Sequence, residues 1–228
     1  MAKIKNVVLV HGAFADGSSW AEVIVRLQAL GYTVTAVQNP LTSLADDVAA
    51  TRRVLKRQDG PVVLVGHSWG GAVITEAGTD PNVAALVYVS ALAPDQGEAV
   101  MDLQRHGPPS PGMQGAKPDA DGLLWFDPGA YHDALAADVH PERAQLLAAT
   151  QQPVAGRCFA EKLSGAAWRD KPSWYLLSQD DRALAPELQS WMAQRMKASV
   201  VTVTSSHMSL ISHADDVVRL VERAAQAG

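Results

Sequence analysis

Gly66-His67-Ser68-Trp69-Gly70 is a Gly-x-Ser-x-Gly run. A serine hydroxyl can attack a carbonyl carbon if a base takes its proton and a third group orients that base. The run follows the apolar stretch Val62–Val65 and precedes Trp69–Ala77, which reads as a helix. Strand, sharp turn and helix are the context in which such a run marks a nucleophile elbow. The turn holds Ser68 in a strained backbone and lifts its hydroxyl above the sheet. Gly66 and Gly70 keep clear the space where a side chain would strike a neighbouring strand or helix. The helix starting at Trp69 points free N–H groups and a positive dipole end at the same place.

The partners follow in the order such an elbow requires. Asp180 and Asp181 lie in the loop after the strand-like run Ser173–Leu177, and either can serve as the acid. His207 lies in a loop of small residues after Ser199–Val203, and it is the expected base. The other six histidines have plainer readings. His11 shapes the loop after the first strand, and His67 points away from the residue beside it. His106, His132 and His140 fall in a later insertion, and His213 starts a helix. A tetrahedral oxyanion needs preplaced donors. The backbone N–H of Trp69 supplies one and that of Ala13 the other, with Phe14 as its neighbour and Gly12 allowing the close approach.

Alternating elements position these groups. Ile4–Val10, Tyr32–Val37, Val62–Val65 and Val83–Val89 read as strands, with helices between them. The first helix is capped by Ser18 or Ser19 and buries Trp20, Val23, Ile24 and Leu27. The second spans Leu44–Gln58. Its Asp46 and Asp47 read as a solvated helix start, where negative charge suits the dipole, rather than as a catalytic acid. The alternation predicts an α/β fold with a mostly parallel sheet and helices on both faces. Ligands then bind beyond the carboxyl ends of the strands, where Ser68 lies.

Between Pro94 and Lys171 the pattern breaks. Eight of the 13 prolines fall there and strand-like runs vanish. Short helices fit Gly97–Gln104, Gly129–Ala137 and Pro141–Ala149. Apolar residues such as Leu123, Leu124, Leu146 and Leu147 argue for a packed helical cap rather than a linker. Strand–helix alternation then returns, with helices at Pro186–Met196 and Ala214–Ala225. One α/β domain over residues 1–228, with 94–171 as an inserted cap, is the economical organisation.

Length and composition agree, because 228 residues at 47% hydrophobic and 19% charged can bury one large core. A net charge of −5 without a Lys/Arg run argues against a nucleic-acid partner. No run is long enough to span a bilayer, and the N-terminal Met1–Lys5 lacks a secretory pattern. A cytoplasmic protein, monomer or homodimer, is the expectation. The lone Cys158 fits a reducing compartment and reads as a packing residue.

Taken together, His11-Gly12-Ala13, Trp20, Gly66-His67-Ser68-Trp69-Gly70-Gly71, Asp181 and Ser206-His207-Met208 resemble the α/β-hydrolase superfamily. The resemblance covers almost the whole chain. It is nearest to small carboxylesterases of the group that also holds plant methylesterases and hydroxynitrile lyases. Asp181-Arg182, with a proline five positions on, resembles the acid loop of that group, which favours Asp181 over Asp180. The resemblance implies a triad of Ser68, Asp181 and His207, no cofactor, no metal, and a cap that shapes the pockets. Ser68 departs from dehalogenases and epoxide hydrolases, which use an aspartate nucleophile. Met208 and Gly12 stand where the plant lyases carry lysine and threonine, which favours hydrolysis. The expected activity is cleavage of small carboxylic esters through an acyl-enzyme on Ser68. The alternatives are lactone opening, C–C bond hydrolysis, a hydroxynitrile-lyase-like reaction on the same triad, or a non-catalytic small-molecule receptor. Phe14, Trp125, Phe126, Tyr131 and Trp168 are the candidates for the pocket walls.

Overall fold

In chain order, β1 (Asn6–Val10) passes through a 3-10 turn at Gly17–Trp20 into α1 (Ala21–Ala29) in the computed structural model, which describes residues 4–227. Met1–Lys3, which the sequence leads directly into the first strand, lie outside that range. β2 (Thr33–Val37) leads to α2 (Leu44–Leu55), β3 (Val62–His67) to α3 (Trp69–Ala77), and β4 (Val83–Val89) closes the first half. The insertion follows, with 3-10 turns at Val100–His106 and Pro111–Gly115. It continues through β5 (Ala116–Pro118), β6 (Leu123–Phe126), α4 (Pro128–Leu135), α5 (Pro141–Thr150), β7 (Val154–Ala155) and α6 (Arg157–Ala160). The chain then returns to the sheet with β8 (Ser173–Ser178), α7 (Pro186–Arg195), β9 (Ser199–Val203), the short α8 (Ser209–Ser212) and α9 (Ala214–Ala227).

The main sheet has the order β2-β1-β3-β4-β8-β9, and all its strands run parallel. Every residue of β1, β3 and β8 is buried, as helices on both faces demand. The edge strands β2 and β9 are partly open, which explains their threonines and serine. Strand order reverses between β1 and β3, so their carboxyl ends open a crevice side by side. The register pairs Val10 with Gly66 and thereby sets the His11-Gly12-Ala13 loop against the elbow. Among the described residues no helix is long and apolar enough to cross a membrane.

The insertion differs from the expected helical cap in one respect. β5, β6 and β7 form a three-stranded antiparallel sheet. These strands are two to four residues long and one contains Pro118, too short for an alternating pattern to register. The neck of the insertion is clasped shut. Trp168 Nε1–H donates to the Pro94 carbonyl at 3.0 Å, and Arg169 makes a two-pronged pair with Asp95 at 2.6 Å per bond.

Candidate active site

Ser68 has φ 50° and ψ −120°, a left-handed backbone that a side-chain-bearing residue rarely adopts. Strain of this kind costs on the order of 1–3 kcal/mol and persists only where the surroundings impose it. Here they do. The Ser68 N–H donates to Val89 O, and its carbonyl accepts from Gly71 N and Leu92 N at 3.0 Å each. A methyl at Gly66 would lie 2.5 Å from the Gly70 carbonyl oxygen, and one at Gly70 would lie 2.4 Å from that of Val10. The elbow is wedged between β1 and the start of α3.

The histidine and the acid meet behind the serine. His207 is buried, and its Nδ1 lies 2.7 Å from Asp181 Oδ2. The carboxylate accepts, so Nδ1 carries the proton and Nε2 keeps a lone pair. Asp181 Oδ1 also accepts from the Ala183 and Leu184 N–H groups at 2.8 Å, and Oδ2 accepts from Gln189 Nε2 at 2.9 Å. Four donors, none of them a lysine or arginine, stabilise this buried carboxylate. Asp180 is exposed and contributes only a backbone bond to Ser205. Position alone leaves two aspartates open and the family resemblance favours the second; in the fold it is the second that meets His207.

Ser68, His207, Ala13 and Trp69 all line one cavity of about 650 Å³ at the carboxyl ends of the strands. The cap closes it with Leu103, Met113, Leu124, Tyr131 and Phe159, among others. None of the described residues lining it is Asp, Glu, Lys or Arg. Of the aromatics expected in the walls, Phe14 and Tyr131 are there. The other three are not. Trp125 is 42% exposed and binds Asp119 through its indole, and Trp168 is the clasp at the neck. Phe126 sits one layer behind, edge-on to Phe14 at 5.4 Å and to Tyr131 at 5.7 Å. Their composition marks them as apolar, but the hairpin and the clasp that redirect them are tertiary features.

Three further buried residues brace the groups around the cavity. Asp47 is fully buried, in contrast to the solvated helix start the sequence suggests. It accepts from Trp69 Nε1 at 2.7 Å and from Leu41 N at 2.8 Å, fixing the indole of the residue after Ser68. Burial pushes its carboxyl up to about 6, against the pull of those two bonds. Asp46 does face solvent, where it meets Ser43 in a helix cap. A signal was present: Leu44, Val48 and Leu55 define the buried face, and helical spacing puts position 47 on it and 46 off it.

His67 does not turn away from the site. Its Nε2–H donates to the His207 carbonyl at 2.9 Å, and the two rings lie 4.8 Å apart. Burial, and then the neighbouring His207, hold its pKa well below the ordinary histidine value. Gln189 bridges Ser178 N, the Leu184 carbonyl and Asp181. Cys158 is a free, buried thiol pushed up to about 12 by desolvation, as suits a packing residue.

The sequence profile of the Alpha/beta hydrolase family matches residues 7–220. The chain belongs to that family. An alpha/beta hydrolase of Aspergillus novofumigatus is 27% identical over 96% of both chains. Methylesterase 1 of Arabidopsis thaliana is 25% identical over 86% of both. The crystal structure of a pyrethroid hydrolase from Sphingobium faniae superposes with a TM-score of 0.83, covering 98% of each chain at 22% identity. That last likeness is one of fold. In this member of the alpha/beta hydrolase family, Ser68, Asp181 and His207 lie in the loops that follow β3, β8 and β9.

Proposed function

We propose that this hydrolase is a serine carboxylesterase acting on uncharged, largely apolar esters through an acyl-enzyme on Ser68. The observation that carries the reading is the strained Ser68 sharing a cavity with a histidine whose other nitrogen is held by a buried aspartate. In this scheme Ser68 Oγ attacks the acyl carbon while His207 Nε2 takes the hydroxyl proton. The Ala13 and Trp69 N–H groups receive the oxyanion. His207 returns the proton to the departing alcohol, leaving the acyl group on Ser68. Water then attacks with His207 again as base, and the carboxylic acid leaves as the serine regains its proton.

The cavity supports the substrate class. At about 650 Å³ it holds more than a short ester, and the absence of ionised walls disfavours a substrate that brings its own charge. The relatives named as a methylesterase and a pyrethroid hydrolase fit ester chemistry. The test is labelling with a fluorophosphonate and hydrolysis of p-nitrophenyl butyrate by the wild type and Ser68→Ala. The wild type should label and turn over, and the variant should lose labelling and at least about a thousandfold in kcat. Equal turnover by the variant refutes the proposal.

A further inference from the structure

The Ala13 N–H can receive an oxyanion only if its peptide plane is turned the right way, and the fold holds that plane from the far side. The Gly12 carbonyl lies 2.8 Å from His11 Nδ1. The other ring nitrogen, Nε2, lies 2.9 Å from the backbone nitrogen of Asn39. A backbone N–H can only donate, so Nε2 must carry the lone pair. The ring proton is therefore on Nδ1 and is donated to Gly12 O. The Gly12–Ala13 peptide is trans, since no described peptide bond is cis, so its N–H points opposite to its C=O. Fixing the Gly12 oxygen on the His11 side turns the Ala13 N–H to the other, where Ala13 lines the cavity.

We propose that His11 is a positioning residue: through the Gly12 carbonyl it aims the Ala13 N–H at the oxyanion. The inference rests on the esterase reading above and adds a wiring diagram to it. The chain runs from Asn39 N–H through the imidazole to Gly12 O and on to Ala13 N–H. Hydrogen bonds connected head to tail polarise one another, so the relay also strengthens the final donor. The imidazole is fully buried, and the Asn39 side chain pins the His11 backbone by donating to its carbonyl at 3.0 Å. Gly12 completes the arrangement. A Cβ there would lie 2.8 Å from Ser68 Cβ and 3.1 Å from His67 Nδ1, so the loop packs directly on the elbow.

Two substitutions separate aiming from packing. The amide nitrogen of asparagine falls where His Nδ1 was, and the amide of glutamine falls nearer Nε2. His11→Asn keeps a donor for Gly12 O and loses the Asn39 bond. His11→Gln keeps an acceptor for Asn39 N–H and loses the donor. Each gives up one buried hydrogen bond, so their melting temperatures should fall alike. The kcat of His11→Gln on p-nitrophenyl butyrate should fall at least about tenfold below that of His11→Asn, with similar KM. Affinity for a trifluoromethyl ketone, which forms the tetrahedral adduct, should drop by the same factor. Equal kcat in the two variants, or a difference confined to KM, overturns the proposal. Nitrogen-15 correlation spectra of the wild-type imidazoles decide it independently if neither variant folds: the His11 proton must be on Nδ1, and a proton on Nε2 refutes the relay. A wild type that neither labels with a fluorophosphonate nor hydrolyses esters sinks the esterase reading instead, while the tautomer measurement still reports how the loop is wired.

Discussion

Replacing Asp47 with asparagine should reveal, by difference, a pH dependence of stability opposite to the one usually expected of a carboxylate. An aspartate held by partners in the fold has a depressed pKa and stabilises the protein as pH rises. Asp47 is buried with no cation among its hydrogen-bond partners, and its pKa rises from 3.8 to about 6. The folded state therefore binds the proton more tightly than the unfolded chain. Stability from this group is fully present below about pH 4 and is lost as pH climbs through 6. Two units correspond to about 3 kcal/mol, a large share of the 5–15 kcal/mol that holds a typical domain together. Other groups titrate over the same range. His11 and His67 are buried and neutral, with lowered pKa values, so they weaken the fold as pH drops below 6.5. That opposite slope is shared by wild type and variant and cancels in their difference. The assay is urea unfolding of both proteins from pH 4 to pH 7.5. The wild-type stability minus that of Asp47→Asn should fall by about 2–3 kcal/mol across the range, whatever constant offset the lost hydrogen bond adds. A flat difference would refute the claim that a buried, unpaired carboxylate sits beneath Trp69.

Two further substitutions probe the loops around Ser68. Tyr131→Phe removes the hydroxyl that donates to the Phe14 carbonyl at 3.0 Å. Phe14 is held at φ 55°, so the variant should lose about 1–2 kcal/mol in thermal unfolding and show a lower kcat on p-nitrophenyl butyrate. Gly70→Ala would place a methyl 2.4 Å from Val10 O and 2.8 Å from His11 O, both backbone atoms that cannot swing aside. It should cost more than about 3 kcal/mol and yield little folded protein, measured as soluble expression and melting temperature.

What the sequence discloses and what it hides follow from one distinction, between local pattern and contact across the chain. The inner strands of the main sheet read clearly because buried parallel strands are continuous apolar runs, and Val83–Val89 falls on the observed boundaries. Ser68 reads clearly because the elbow needs strand, glycines and helix within a dozen residues. The carboxylate that meets His207 is harder. Asp180 and Asp181 differ by one position; the resemblance of the loop favours Asp181, and the geometry that brings Ala183 and Leu184 N–H groups onto it is what separates them physically. The braces are hardest. Asp47 reaches a partner 22 residues away and His67 one 140 residues away, and neither pair leaves a periodic mark. The cap hides for another reason. Its strands are short and its aromatics are spread among wall, clasp and solvent, so composition alone gives Tyr131 and Trp125 the same weight. In the fold they part completely. Tyr131 reaches through the cap floor to the loop that carries Ala13, while Trp125 bonds within its own hairpin. The cap is thus tied to the loops that carry Ala13 and His207 as well as roofing them, since Met208 N also donates to Leu135 O and Ser206 to Asp138. A change in the cap that reshapes the pocket will therefore also move the groups expected to perform the chemistry, and substrate range and turnover should vary together when these contacts are altered.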